Sequence, residues 1–145
     1  MNWYKTAKCN YQPLNAPKRI DAQSLIDNVL SLHFSSQDSL EIEESDIPIR
    51  LNSYNYYDLK LININDLVGV DSVKNAYVTI FDHQIENNKN QIIASNSYPP
   101  IVVDIMKQII DGYHRVFALK ELGCRNVWAY VPDPNSKNED NYELV

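Results

Sequence analysis

The strongest constraint on the fold is a short segment centred on Gly112. It joins an apolar stretch at 108–111 to a segment in which apolar residues recur at intervals of three from Val116 to Leu122. A glycine readily ends a strand, and apolar residues at that spacing line one face of a helix. We therefore predict a strand over 108–111, a tight turn at Gly112 and a helix over 113–122.

This turn has the chemistry of an anion-binding site. The first N–H groups of a helix lack intrahelical partners, and the helix dipole is positive there, so an anion is stabilised without any side chain. Gly112 lets the backbone approach a ligand closely. Arg115 offers a planar fork of donors for phosphate oxygens, and His114 can donate a hydrogen bond or carry charge. The turn therefore predicts a phosphate site.

A purely structural interpretation fits the same residues. Asp111 can cap the helix while His114 lies at the surface, and Arg115 can pair with Asp111 or with Asp104. The residues alone leave both interpretations open.

The rest of the chain predicts an α/β fold in which a small mixed sheet is packed against helices, with a helical N-terminal extension. Asp21 is the expected N-cap of the first helix. The polar stretch 86–91 and the acidic stretch 38–46 are expected to be solvated loops. We divide the chain into an extension (1–55), the α/β domain (56–134) and a tail (135–145). The other predicted elements are a helix over 22–33, a strand over 58–64, a helix over 72–86 and strands over 101–104 and 126–131.

Charge and cysteine content exclude several classes of protein. The net charge of −6 opposes nonspecific binding to nucleic acid. No apolar run reaches the roughly 20 residues of a membrane span, and the N-terminus lacks the apolar core of a secretory signal. We therefore expect a cytoplasmic protein with no membrane partner. Cys9 and Cys124 are far apart in sequence and neither belongs to a CxxC pair, so we expect neither a disulfide framework nor a structural zinc site.

The stretch 99–131, PPIVVDIMKQIIDGYHRVFALKELGCRNVWAYV, resembles the core of the ParB/sulfiredoxin superfamily. The resemblance extends in weaker form back to Tyr56. It implies the small ParB/sulfiredoxin-like mixed sheet and a nucleotide ligand, although one fold can host several chemistries.

The site residues of sulfiredoxins can be compared with this chain one position at a time. Their glycine-cysteine-histidine-arginine turn binds ATP, with the histidine and arginine on the phosphates, and Gly112, His114 and Arg115 match it. Tyr113 replaces the catalytic cysteine, so the resemblance does not imply a sulfiredoxin reductase. Tyr113 is instead a candidate to stack on a base, or it faces solvent. Lys74 matches a lysine that is a phosphate ligand in that family.

The resemblance implies an enzyme that uses ATP or another nucleoside triphosphate, a phosphotransferase or NTPase. Asp111 and His114 are the candidate catalytic groups, and Asp111 is also the candidate ligand of Mg²⁺. A small molecule is the expected acceptor. Two alternatives stay open: a ParB-like DNA-binding or nuclease accessory protein, and a degenerate domain that binds a protein partner. Asp104 is likewise either a functional carboxylate or a capping residue.

Overall fold

The computed structural model describes residues 9–35, 46–68 and 82–138. Within these ranges two single turns of 3-10 helix, Ile64–Asp66 and Pro134–Ser136, accompany the regular elements. The regular elements, in chain order, are β1 (Gln12–Pro13), β2 (Arg19–Asp21), α1 (Ala22–Ser35), α2 (Asp46–Leu51), β3 (Tyr56–Asn63), α3 (Asp82–Ser95), β4 (Ser97–Tyr98), β5 (Ile101–Val103), β6 (Ile109–Asp111), α4 (Tyr113–Glu121) and β7 (Asn126–Pro132).

A five-stranded mixed sheet organises the fold, in the order β2-β3-β7-β5-β6. β5 and β7 run parallel, and the other neighbouring strands are antiparallel. β1 and β4 form a separate two-residue parallel pair. The predicted α/β class with a small mixed sheet is therefore confirmed.

Each face of the sheet carries its own hydrophobic core, because successive strand residues point to opposite sides. On one face, which we call the α4 face, Ile101 and Val103 pack with residues of α3 and α4. On the other, the α1 face, Val102 packs with residues of α1 and α2. The sheet thus lies between two pairs of helices.

The N-terminal part of the chain takes part in this architecture. β2 is an edge strand of the main sheet, and α1 and α2 cover the α1 face. Asp21 caps α1, since its carboxylate accepts from the Ser24 N–H at 3.1 Å and from the Ser24 hydroxyl at 2.7 Å. The N-cap and the helix predicted over 22–33 are therefore confirmed. The division of the chain at residue 55 stays a prediction.

The strands predicted from residue 56 onward and the helix after Gly112 are confirmed, but the loop predicted at 86–91 is wrong. That stretch lies inside α3, whose inward face carries Ile85, Asn88 and Ile92. Asn88 is buried and donates to the Gln84 carbonyl at 2.8 Å, so a polar residue occupies an inward position and interrupts the apolar periodicity. The part of the predicted helix before residue 82, and the acidic segment before residue 46, lie outside the described residues.

The expectation for the cysteines is also wrong. Cys9 and Cys124 form a disulfide, with their Cα atoms 5.4 Å apart. Separation along the chain did not predict separation in space, because the segment before β1 returns to the loop between α4 and β7. None of the helices in the described ranges combines the length and hydrophobicity that a membrane span requires.

Candidate functional site

Gly112 adopts a backbone conformation that few other residues tolerate. Its φ angle is +116°, in the left-handed region, and it is the N-cap of α4. A Cβ atom at this position would lie 2.4 Å from Cγ2 of Ile101. The glycine therefore allows the turn to pack closely against β5, which explains its presence without a ligand.

Asp111 and Arg115 form a buried ion pair across this turn. Nη2 of Arg115 donates to Oδ2 of Asp111 at 2.8 Å, and the side chains of Arg115 and Asp111 are only 5% and 3% exposed, respectively. The same nitrogen lies 3.5 Å from the Pro100 carbonyl oxygen. The pairing of Arg115 with Asp111, one of the alternatives left open by the sequence, is the one that the structure contains.

One donor of Arg115 is not used by these contacts. Nε is buried and has no hydrogen-bond partner among the described residues. Gly112, having no side chain, provides no side-chain cap for α4. The start of α4 therefore combines a positive helix end with an arginine whose donors are only partly satisfied.

Tyr113 and His114 are buried as well, at 6% and 4% exposure. Tyr113 belongs to the core of the α4 face, so the alternative in which it faces solvent is wrong. The alternative in which His114 lies at the surface is wrong as well. The short spacing of the motif did not reveal how completely the sheet and α4 enclose these side chains. Their roles toward a nucleotide stay predictions, and Lys74 lies outside the described residues.

Asp104 lies at the other end of β6 from the Gly112 turn and caps the hairpin between β5 and β6. Its Oδ1 accepts from the backbone N–H groups of Met106 and Gln108, each at 2.9 Å. Lys107 has a φ of +62° in this turn. The turn lacks glycine and asparagine, and the aspartate side chain supplies the organising hydrogen bonds instead. The capping interpretation of Asp104 is thus confirmed.

The described ranges contain no group of three or more His, Cys, Asp or Glu side chains that could hold a metal ion. Asp111, the predicted Mg²⁺ ligand, has Oδ2 engaged by the Arg115 guanidinium, and a cation so close opposes a second one. In this arrangement Asp111 does not fit a metal ligand. The Mg²⁺ site stays a prediction, and we derive no chemical step from it.

A cavity of about 260 Å³ on the α1 face was not anticipated from the sequence. Its walls are mainly apolar, and amide and hydroxyl groups lie among them. Segments far apart in sequence form it, so no local motif could have indicated it. Its lining residues include Leu14 and Asn15 before β2, Val29 and Ser31 of α1, Pro100, and Asp111, the ion-pair partner of Arg115.

Burial raises the pKa of two tyrosines, one in each hydrophobic core. The pKa of Tyr98 rises to about 12, and its hydroxyl oxygen accepts from the backbone N–H of Trp128 at 3.0 Å. Burial also raises the pKa of Tyr57, whose hydroxyl donates to the Leu51 carbonyl at 2.8 Å. Both phenols therefore act as structural hydrogen-bonding groups.

Comparison with known proteins yields limited similarity. No family model and no curated protein matches the chain. Among solved structures, the C2221 form of a Pnob8-like ParB-N domain matches with 19% identity and a TM-score of 0.42, over 61% of this chain and 33% of that chain. A second structure of the pNOB8-like ParB N-domain matches with 22% identity and a TM-score of 0.37, over 61% and 32%. This chain thus spans about a third of the length of the chains it matches, and its family stays a prediction.

Proposed function

We propose that this chain binds a nucleoside triphosphate and that its phosphates occupy the turn between β6 and α4. The observation that carries the proposal is the buried guanidinium of Arg115 at the start of α4, with Nε unpartnered. A buried arginine donor without an acceptor is costly, and a phosphate oxygen is a suitable acceptor for it.

Binding at this turn involves an exchange of partners. A triphosphate carries more charge than one carboxylate and offers Arg115 two oxygens at once, so it competes with Asp111 for the guanidinium. The N-terminal end of α4 adds a favourable electrostatic contribution. The predicted ligands of the nucleotide remain those of the sequence, namely Gly112, Tyr113, His114, Arg115 and Lys74.

The same exchange supplies groups for phosphoryl transfer. Once Arg115 binds phosphate, the carboxylate of Asp111 is released and can accept a proton from the hydroxyl of a small acceptor. His114, the next candidate, can donate a hydrogen bond to a phosphate oxygen from the first turn of α4. The resulting activity is that of an NTP-dependent phosphotransferase or, with water as acceptor, an NTPase.

A second candidate function is a protein-interaction module, in which the domain keeps the fold but no longer binds a nucleotide. The observation in its favour is that the Asp111–Arg115 pair is enclosed and geometrically sound at 2.8 Å, as in a structural contact. In that case Gly112 serves only the packing of the turn against Ile101.

Calorimetric titration with ATP, ADP, CTP and GTP, with and without Mg²⁺, separates these functions. We compare wild type with Arg115→Lys, which keeps the charge but loses the fork, and with Arg50→Ala as a control that removes a charge elsewhere. Arg50 lies 3.9 Å from Asp104 in an unrelated ion pair. Saturating ligand at 100 times its dissociation constant stabilises a fold by about 2.7 kcal/mol, which a thermal shift also detects.

The expected result is binding in wild type and Arg50→Ala, with an affinity at least roughly tenfold weaker in Arg115→Lys, since a bidentate contact is lost. If Arg115→Lys is unfolded by circular dichroism, Lys74→Ala replaces it, because a lysine predicted to contact phosphate should weaken binding in the same way. Absence of binding by all four nucleotides in wild type refutes the proposal, as does equal binding by wild type and a folded Arg115→Lys.

A further inference from the structure

The disulfide between Cys9 and Cys124 joins the segment before β1 to the loop after α4. The separation of 5.4 Å between the Cα atoms lies well within the range of about 4.4–6.8 Å seen in disulfides. Cys9 lies at the start of a segment that we call the strap, residues 9–17, which runs from the disulfide toward β2. Cys124 follows α4 and is anchored in the core of the α4 face.

Apart from the disulfide, the strap is held by a small number of hydrogen bonds. The Gln12 N–H donates to the Asn96 carbonyl at 3.1 Å, and the Leu14 N–H donates to the Tyr98 carbonyl at 2.8 Å. At its far end the Pro17 carbonyl accepts from the Tyr130 hydroxyl at 2.8 Å. Tyr11 is buried, and the β-pairing covers only two residues. Tyr11 belongs to the core of the α4 face, and the covalent link fixes the end of the strap that precedes it.

Basic residues and open space adjoin Cys124. Two cavities adjoin it, of about 280 and 360 Å³, and Arg125 lines both. Lys120 lines the larger one, whereas Cys9 lines the smaller. Neighbouring cations stabilise a thiolate, which makes a cysteine a better leaving group in thiol–disulfide exchange. The cavities also give a small reductant access to the sulfur atoms.

We propose that Cys9–Cys124 is a reversible thiol–disulfide site whose reductant is a dithiol. One thiolate of the dithiol attacks Sγ of Cys9, the S–S bond breaks, and Cys124 leaves as a thiolate beside Arg125. The second thiol of the dithiol then displaces Cys9 and closes a disulfide within the reductant. Two electrons pass to the protein, and the two protons of the dithiol end on Cys9 and Cys124.

Reduction has a structural consequence on the opposite side of the sheet. Leu14 and Asn15 of the strap form part of the wall of the cavity on the α1 face. When the strap loses its covalent anchor, Tyr11 and the hydrogen bonds of Gln12 and Leu14 are left to hold it, and this wall loosens. The oxidation state of the disulfide thus controls how open the α1-face cavity is.

The proposal is tested on the full chain by treating oxidised protein with dithiothreitol under native conditions. Free thiols are counted before and after treatment, and amide hydrogen exchange of Gln12 and Leu14 is followed along with the melting temperature. Cys9→Ser is the matched control, because it cannot form the disulfide in either condition. Cys124→Ala replaces it if Cys9→Ser does not fold.

We expect reduction to expose two thiols per folded chain, to lower the melting temperature by roughly 5–15 °C, and to speed exchange at both amides by about tenfold or more. Reoxidation reverses all three changes, and Cys9→Ser behaves like reduced wild type in either condition. Thiols that stay free under oxidising conditions refute the proposal. A disulfide that dithiothreitol reduces only after unfolding refutes it too, as do unchanged exchange rates on reduction.

Discussion

The turn at the start of α4 and the margin of the α1 face are packed differently. The turn encloses the ion pair Asp111–Arg115 and a glycine with no room for a single added carbon. The α1 face has an apolar core, with Val102 and Tyr130 from the sheet, and leaves at its margin a cavity of about 260 Å³ that Asp111 also lines. Tyr113, His114 and Arg115 of the predicted phosphate site are all buried in this turn, so ligand binding there requires local rearrangement.

The largest expected effect comes from breaking the buried ion pair of the turn. Asp111→Ala leaves the Arg115 charge buried and uncompensated, and should lower the free energy of unfolding by about 3–5 kcal/mol. Asp104→Ala, which removes a carboxylate from the exposed hairpin turn, should cost about 1 kcal/mol. Urea denaturation measures both. Similar small losses in the two variants would show that the turn does not enclose Arg115.

Gly112→Ala tests the packing of the turn itself. The new Cβ would meet Ile101 at 2.4 Å, and the φ of +116° is unfavourable for alanine, so we expect a loss of about 2–4 kcal/mol. Gly123→Ala is the control, because Gly123 also has a positive φ, of +85°, but is exposed after α4. It should cost about 1 kcal/mol from backbone strain alone. Equal losses would mean that contact with Ile101 contributes little.

One added methylene on each face sharpens the contrast. Val116 is fully buried in the core of the α4 face, and Val116→Ile should lower the free energy of unfolding by about 1–3 kcal/mol through overpacking. Val29 lines the cavity on the α1 face, and Val29→Ile should change stability by less than about 1 kcal/mol, or raise it. Urea denaturation of both variants checks the difference. A larger loss for Val29→Ile would show that the cavity is not free volume.

Features that depend on neighbours in sequence were predictable. The strand, glycine turn and helix around Gly112 followed from spacing within a dozen residues, and so did the cap at Asp21. α3 was misjudged because Asn88 occupies an inward position where apolar periodicity expects a hydrophobic side chain. Asp104 was left open, because a carboxylate that organises a turn is indistinguishable in sequence from a functional one.

Features that depend on distant segments were not predictable. The pairing of Cys9 with Cys124 and the cavity beside Leu14 arise only when the N-terminal strap is placed across the finished sheet. Local sequence located the turn that holds Asp111 and Arg115, but it carried no information about how the surrounding fold encloses them, and the role of these residues toward a ligand stays a prediction.

The smallest expected effect concerns an exposed ion pair, which contrasts with the buried one. Hydrogen bonds from the Asn135 N–H and from Arg19 lower the pKa of the Asp133 carboxyl. A carboxyl whose pKa is lower in the folded state stabilises the protein above its unfolded value of about 3.9, and this contribution is lost as the pH falls through the folded pKa. Asp133→Asn should therefore destabilise the protein near neutral pH, and this effect should shrink as the pH falls below the unfolded value and through the lower folded pKa. Arg19→Gln should remove only part of this pH dependence, because the Asn135 N–H remains. Urea denaturation across this pH range checks both variants, and an Asp133→Asn effect that does not change with pH would contradict the expected role of the carboxylate.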